Sequence, residues 1–429
     1  MADLTSITFD STFVGMEAEM KKGTRLPLEG VRVIDWTVFQ QGPVAAVMLG
    51  DLGAEVIKIE QRGVGDPGRG VRRIHGVSPP SLLGGRTYYF ETMNRNKRSV
   101  AIDLKADGGK EVIYRLAKNA DVFIQNFRQG VAARLGVDYE ILGRHNPRLI
   151  YASGTGYGPR GPDSAKPSFD YAGQARAGVM TTAGEVGMDP VGGPLGMADN
   201  AGATMLAYAI LAALYSREQT GLGQAVDASL LGSMTWLLGL NVSYRIMLGQ
   251  DIPKTRRAEA GNAMWNHYRC SDDRWLCFAM TQSEKYWSEF CRALGIQDLE
   301  HEPRFADPEA RRDNGKELVS ILDRVFATRT RTEWVKTLDD VGNFAYAPVN
   351  NMADLMEDPQ VVENKYITDF AHPALGDIKV VGCPVTFSDA EVGPRLPAPE
   401  FGQHTEEVLL EIGGYTWDEV AELKEQGVI

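Results

Sequence analysis

The 429-residue chain is short of the side chains from which the commonest sites are built. Its four cysteines, Cys270, Cys277, Cys291 and Cys383, show neither paired C-x-x-C spacing nor a secretory context, so they read as reduced thiols and not as a disulfide frame. The six histidines, His75, His145, His267, His301, His372 and His404, lie far apart, and no metal site is expected. Acids outnumber bases 57 to 45, a formal charge of −12. That balance disfavours nucleic acid or an anionic membrane as the main partner, but leaves room for a local basic groove around a phosphorylated ligand. No run of 18 apolar residues is free of charge or glycine, and the acidic, polar start "MADLTSITFDSTFVGMEAEMKKGTR" is unlike a signal peptide. A cytoplasmic protein with an N-terminal extension over residues 1–27 is the expectation.

Motifs are missing as well. No G-x-x-x-x-G-K-[ST], G-x-S-x-G or H-E-x-x-H occurs. The first turn reads "VFQQGPVAA", which lacks the G-x-G-x-x-G that brings a dinucleotide pyrophosphate close to the backbone. What the chain does have is alternation. "GVRVIDW", "AEVIKIE", "SVAIDL", "DVFIQNF" and "RLIYASGTGYG" are β-rich runs separated by helical stretches such as "GGKEVIYRLAKNA". This pattern predicts an α/β fold: a doubly wound, mostly parallel, Rossmann-like sheet in a large domain, with ligands beyond the carboxyl ends of the strands. The large domain is expected over 28–225, a linker and smaller α+β domain over 226–345, and a return to the large domain over 346–429. In the middle part, "MWNHYRCSDDRWLCFAM" reads as a hairpin turning at Ser271 to Asp273, whose Trp265, His267, Tyr268 and Trp275 either pack it or line a substrate wall.

Among the carboxylates, Asp199 stands out. In "GMADNAGATM" it precedes an apolar-periodic helix expected from about Ala201 to Ser216, a position suited to an N-cap worth about 1 kcal/mol. A helix start also keeps a carboxylate ionised and available as a nucleophile. Gly196, Ala198, Ala201 and Gly202 would let a bulky ligand approach it.

The segments "PLEGVRVIDWT", "LGDLGAEVIKIE", "NRNKRSVAIDLK", "ADVFIQNFRQGVAARLG", "LIYASGTGYG", "GMADNAGATMLAYAILAAL" and "TGLGQAVDASLL", in this order, resemble the class III CoA-transferases, among them the formyl-CoA:oxalate and the carnitine and bile-acid enzymes. The resemblance runs from Leu28 to Ile429 and implies an interlocked dimer, a homodimer or a heterodimer with a homologous subunit. It implies a CoA thioester as substrate, with no permanently bound cofactor. The family's nucleophilic aspartate falls on Asp199, and its glutamine in the first βα turn falls on Gln40, with Gln41 beside it. CoA contacts fall on Gln61 or Arg62, on Ile102, Asp103, Leu104 and Lys105, on Asn126, Phe127 and Arg128, on Arg134, and on Pro167 to Asp170, which includes Phe169. Asp170 occupies a position where related transferases carry a carboxylate near the reacting centre. Arg62, Lys105, Arg128 and Arg134 would supply the basic groove for the CoA phosphates.

The resemblance implies transfer of CoA from an acyl-CoA, for which succinyl-CoA is one candidate, to a carboxylic acid through aspartyl anhydride and aspartyl thioester intermediates. Where the oxalate enzyme has a run of glycines, this chain has only Gly261, and its aromatic hairpin suits a larger acid such as benzylsuccinate. Two alternatives stay open. The related acyl-CoA racemases exchange an α-proton between a histidine and an aspartate, but their histidine falls here on Phe169, which carries no proton. Other relatives work as two unlike subunits, in which this chain would be a non-catalytic partner.

Overall fold

The computed structural model describes residues 25–71, 73 and 77–429, so His75 and most of the N-terminal extension lie outside the described residues. Six strands, β1 (Arg32–Trp36), β2 (Glu55–Gln61), β3 (Lys97–Ile102), β4 (Val122–Gln125), β5 (Ile150–Thr155) and β6 (Ala225–Ser229), form one sheet in the order β3-β2-β1-β4-β5-β6. The pairings of β1 with β2 and β4, of β2 with β3, and of β4 with β5 are parallel, with Ile34 opposite both Ile57 and Phe123. The strands are buried on both faces because helices cover them, with Asp35, Lys58, Glu60 and Lys97 buried among their apolar residues. Successive residues point to opposite sides. Ile34, Ile57, Val100 and Phe123 share one core with Val112, Ile113 and Leu116, while Val33, Val56 and Ile124 share another with Ala45, Leu49, Leu206 and Ile210. The strand order reverses direction at β1/β4, where doubly wound sheets open their ligand crevice.

The first α-helices along the chain are α1 (Gln41–Asp51), α2 (Tyr88–Asn94), α3 (Gly109–Lys118), α4 (Val131–Leu135) and α5 (Tyr139–His145). They are followed by α6 (Asp170–Ala177), α7 (Val179–Thr182), α8 (Met197–Thr220), α9 (Leu230–Leu237) and α10 (Gly239–Leu248). Among the described residues α8 alone is long and apolar enough to cross a membrane. Its residues Ala203, Leu206, Ala207, Ile210 and Ala213 are buried in the core instead.

The chain divides into two compact units. The first holds the described residues up to Gly154, with Ala203–Ala228 and Thr368–Ile429. The second holds Thr155–Gly202 and Ser229–Ile367. Residues 155–202, which sequence alternation groups with the large domain, therefore belong to the second unit; there Ala198 packs with Val179, Met180, Leu230 and Met234 in a core of their own. The second unit also carries the expected hairpin, β7 (His267–Arg269) and β8 (Trp275–Phe278), extended by β9 (Tyr346–Val349) into an antiparallel sheet. Asp273 at its turn takes the left-handed φ of 63°, the geometry of a tight three-residue loop. Alternation splits the aromatic stretch: Tyr268 is fully buried, whereas Trp265 is 54% exposed and His267 lies 5.4 Å from Trp275 on the other face.

The sheet of the first unit buries charge. Lys97 and Asp35, both without solvent contact, pair at 2.7 Å. The Lys97 ammonium also donates to Pro43 O (2.9 Å), Met93 O (3.0 Å) and Asn94 Oδ1 (3.0 Å). Burial pushes Lys97 down to about 8, against the pull of Asp35. Burial alone would raise Asp35, but Lys97 and Lys58 outweigh it and hold the carboxyl below its usual range. Lys97→Met should therefore cost about 3–5 kcal/mol of stability in urea unfolding, because it strands a buried carboxylate. The double variant Asp35→Leu/Lys97→Met should recover most of that loss. A single variant as stable as the parent chain would refute this assignment.

Candidate active site

In the first unit the chain leaves β1 at Trp36 and enters α1 through Thr37–Gln40. Asn126, just past β4, clamps this turn: Val38 N donates to Asn126 Oδ1 (2.9 Å) and Asn126 Nδ2 donates to Val38 O (2.7 Å). The Phe127 ring packs on Trp36 with centroids 4.3 Å apart. Phe39 is held at φ 63°, a strained conformation for a bulky residue of the kind found at functional sites. Gln40 follows, 7% exposed, and accepts from Tyr89 OH at 3.5 Å. Gln41 is buried, with its Nε2 donating to Ala228 O at 3.0 Å, so that donor acts within the fold.

Further out on the same carboxyl-end edge, Gln61 Nε2 (3.2 Å) and Lys105 N (2.9 Å) both donate to Asp103 Oδ1. The Lys105 amide, then Gln61, hold the Asp103 carboxyl below its usual range. Ile102 and Leu104 point into the core, which leaves only their backbone to meet a ligand. Arg62 follows β2, Lys105 follows β3, Arg128 follows β4 and Arg134 lies on α4. All four are exposed, and none is ion-paired among the described residues. In a chain of charge −12, four unpaired cations along one edge make the local basic surface that phosphates require.

In the second unit Asp170 and Asp199 lie together. Asp170 opens α6, and its carboxylate reaches the start of α8: Oδ1 accepts from Ala198 N (2.7 Å) and Asp199 N (3.2 Å), and Oδ2 from Gly196 N (3.0 Å) and Gln174 Nε2 (2.8 Å). Fully buried Gln174 extends the brace by accepting from Gly193 N (2.9 Å) and donating to Pro194 O (3.1 Å). Gly196 sits at φ 78°, the left-handed turn that brings the chain into the helix. Gly173 must stay small, since a Cβ there would lie 3.0 Å from Leu230 and 3.2 Å from Ala198. Beside Asp170, Phe169 is 62% exposed and Ser168 Oγ is enclosed without a hydrogen-bond partner.

This arrangement corrects the sequence expectation for Asp199. The helix begins at Met197, so Asp199 lies inside the first turn, and the capping carboxylate is Asp170. The helix-start donors are spent on Asp170, and none of the described residues hydrogen-bonds to the Asp199 carboxyl. Burial first, and then the Asp170 charge, push Asp199 up to about 7. The helix start thus does not keep it ionised.

The same unit has a pocket of about 240 Å³ lined by Thr255, Ala260, Gly261, Asn262, Trp265 and Thr281. Its wall is rigid: Asn262 Nδ2 donates to Met280 O (2.9 Å) and Asn262 Oδ1 accepts from Met264 N (3.0 Å). Lys254 Nζ donates to Ala183 O (2.6 Å) and Arg257 N to Glu185 Oε1 (2.9 Å), which ties the pocket loop to the segment leading toward Asp199. Sequence reasoning found Gly261 and Trp265 but missed Thr255, Asn262 and Thr281, which carry no motif, as it missed Gln174 and Tyr89.

The Asp199 shift has a stability consequence. A carboxyl raised from 3.8 to about 7 on folding contributes stability that is fully present below pH 3.8 and lost as pH rises through about 7. A rise of that size corresponds to about 4 kcal/mol, which solvent access at this half-buried group reduces to about 1–2 kcal/mol. Asp199→Asn, which does not titrate, should therefore gain on the parent chain by that amount between pH 5 and pH 8 in thermal melts. A difference that is flat with pH would exclude the shift.

Residues 28–405 match the pattern of CoA-transferase family III. The human succinyl-CoA:glutarate CoA-transferase is 32% identical over 403 residues, covering 94% of this chain and 90% of that protein. The cinnamoyl-CoA:phenyllactate CoA-transferase of Clostridium sporogenes is 33% identical over 408 residues, covering 94% and 97%. A CaiB/BaiF family protein from Brucella suis superposes with a TM-score of 0.79 at 29% identity, over 90% of this chain and 99% of that one. Relatives similar from end to end, and a family pattern spanning almost every described residue, leave one assignment: the chain belongs to CoA-transferase family III and is an enzyme of that class.

Proposed function

We propose that this enzyme moves CoA from an acyl-CoA to a carboxylic acid through covalent intermediates on Asp199. The observation that carries the reading is the Asp199 carboxyl, without a hydrogen-bond donor among the described residues and raised to about 7 beside a carboxylate that takes all the helix-start donors. A carboxylate of that basicity is a better nucleophile than an ordinary aspartate and is still substantially ionised at neutral pH. Acylation removes its charge, so the burial and like-charge repulsion that disfavour the free carboxylate both favour the covalent state. Asp170 acts through Asp199, as a positioning group.

In the steps proposed, an Asp199 oxygen attacks the thioester carbonyl carbon, the C–S bond breaks, and CoA leaves as the thiolate. The product is a mixed anhydride, which conserves the energy of the thioester. The thiolate attacks the Asp199 carbonyl carbon and expels the donor acid, leaving an aspartyl-CoA thioester. The acceptor carboxylate then attacks that same carbon, and the steps run in reverse. Gln40 orients the acyl or acid group, and the Gly261 amide serves as a donor to a carbonyl oxygen. Arg62, Lys105, Arg128 and Arg134 hold the CoA phosphates, assisted by Gln61, Asp103 and Asn126, by the rings of Phe127 and Phe169, and by the backbone at Ile102 and Leu104.

Two relatives are named for transfer to glutarate and to phenyllactate, which supports a carboxylic acid larger than oxalate as acceptor. The Trp265 pocket suits the ring of an aromatic acid, benzylsuccinate being an example, and succinyl-CoA, named for the human relative, is a candidate donor. Dimerisation is supported by the open apolar surface of α9 and α10, where Trp236 is 74%, Leu240 80% and Met247 79% exposed. We infer a cytoplasmic enzyme, an interlocked homodimer or a heterodimer with a homologous subunit, with neither nucleic acid nor membrane as partner.

Incubation with an acyl-CoA followed by hydroxylamine or borohydride trapping and mass mapping should place the modification on Asp199, and Asp199→Ala should lose turnover by at least about 10³-fold. Labelling elsewhere, or full turnover by the variant, would sink the reading. The pH profile gives a second check. Because the ionised form reacts, log(kcat/KM) should climb with unit slope below pH 7 and level above about pH 8. A flat profile from pH 5 to pH 8 would contradict Asp199 as the nucleophile.

A further inference from the structure

The loop that follows β2 carries a carboxylate that no motif singles out, and it contacts the turn bearing Gln40. Asp66 is 2% exposed. Its Oδ1 accepts from Phe39 N (3.2 Å) and Gly68 N (2.7 Å), and its Oδ2 faces the Lys58 ammonium at 2.7 Å. Lys58 is fully buried and donates in addition to Thr37 O at 3.1 Å, on the other side of the same turn. Asp66 is itself fixed from behind. Its own N–H donates to Glu60 Oε2 (2.9 Å), and Glu60 accepts from Arg69 Nε (2.8 Å), Arg69 Nη2 (2.7 Å) and Ser99 Oγ (2.6 Å).

A buried ion pair is an expensive way to hold a loop, because apolar residues of equal size serve stability as well or better. The object of this pair is a strained one: Phe39, at φ 63°, is bulky and is held in a conformation that glycine would adopt freely. The residue after it is Gln40, whose backbone carbonyl opens α1 by accepting from Val44 N at 2.9 Å. A change of φ at residue 39 would therefore redirect the backbone that carries Gln40 into α1.

We propose that Asp66 is a positioning residue for acyl transfer: with its charge balanced by Lys58, it holds the Phe39 amide in the left-handed turn and so fixes Gln40. The inference rests on the reading of Gln40 as the residue that orients the acyl or acid group. Lys58 supplies the charge balance and Asp66 the acceptor, so the two contributions separate experimentally.

The test compares two variants that both delete the buried charges. Lys58→Met/Asp66→Asn keeps a side-chain oxygen for the Phe39 amide, and Lys58→Met/Asp66→Leu removes it. With an acyl-CoA donor, the leucine variant should lose kcat by at least about tenfold at unchanged KM for the donor, and the asparagine variant should restore kcat to within about threefold. Gln40→Ala should cost activity in the asparagine background and add little in the leucine background, since the glutamine is already displaced there. Equal kcat in the two double variants, or full additivity with Gln40→Ala, would overturn the proposal. A Gln40→Ala chain with normal kcat would instead overturn the role of Gln40, whatever trapping at Asp199 shows. Should the leucine variant not fold, hydrogen exchange in the unaltered protein decides: the Phe39 amide should be protected by at least about 100-fold, and free exchange would refute its bond to Asp66.

Discussion

The structure depends on how its buried carboxylates are satisfied. A carboxylate taken out of water must find a cation or several N–H donors, or else it gives up its charge. The chain uses each of these outcomes at a different place. Asp35 and Asp66 in the first unit are paired with Lys97 and Lys58, and Asp170 in the second unit takes four hydrogen bonds. Asp199, beside Asp170, is left without a donor among the described residues and rises to about 7. Satisfying one carboxylate of the pair is what leaves the other without a donor and raised.

The two units apply this constraint to different tasks. In the first, ion pairs support the carboxyl-end edge of a parallel sheet, where Asn126 and Asp66 together fix the turn that presents Gln40. Farther along that edge Arg62, Lys105, Arg128 and Arg134 are exposed. In the second, Asp170 and Gln174 tie the glycine-rich approach of α8 to α6, and the cost of an unsatisfied carboxyl at Asp199 is a local loss of stability.

Much of this was legible in the chain itself. The parallel sheet, the hairpin at Ser271 to Asp273 and the candidate Asp199 follow from local periodicity and turn chemistry, which act between near neighbours in sequence, while Asp170 and Gln40 were candidates only through the family resemblance. The side chains of Gln41 and Leu104 show what local sequence does not carry: the fold turns Leu104 into the core and engages the Gln41 amide with Ala228, 187 residues away. Asp66, in "GVGDPGRG", has the look of an ordinary turn aspartate, and only its place 2.7 Å from the buried Lys58 gives it a different part.

By itself, therefore, the sequence determined the class of fold, the family and the carboxylate most worth mutating, because hydrophobic periodicity and contiguous motifs are written in the order of residues. Tertiary structure alone decided which carboxylate caps α8 and which is left basic. Asp170 and Asp199 are 29 residues apart in the chain, and both desolvation and Coulomb repulsion depend on distance and burial in space.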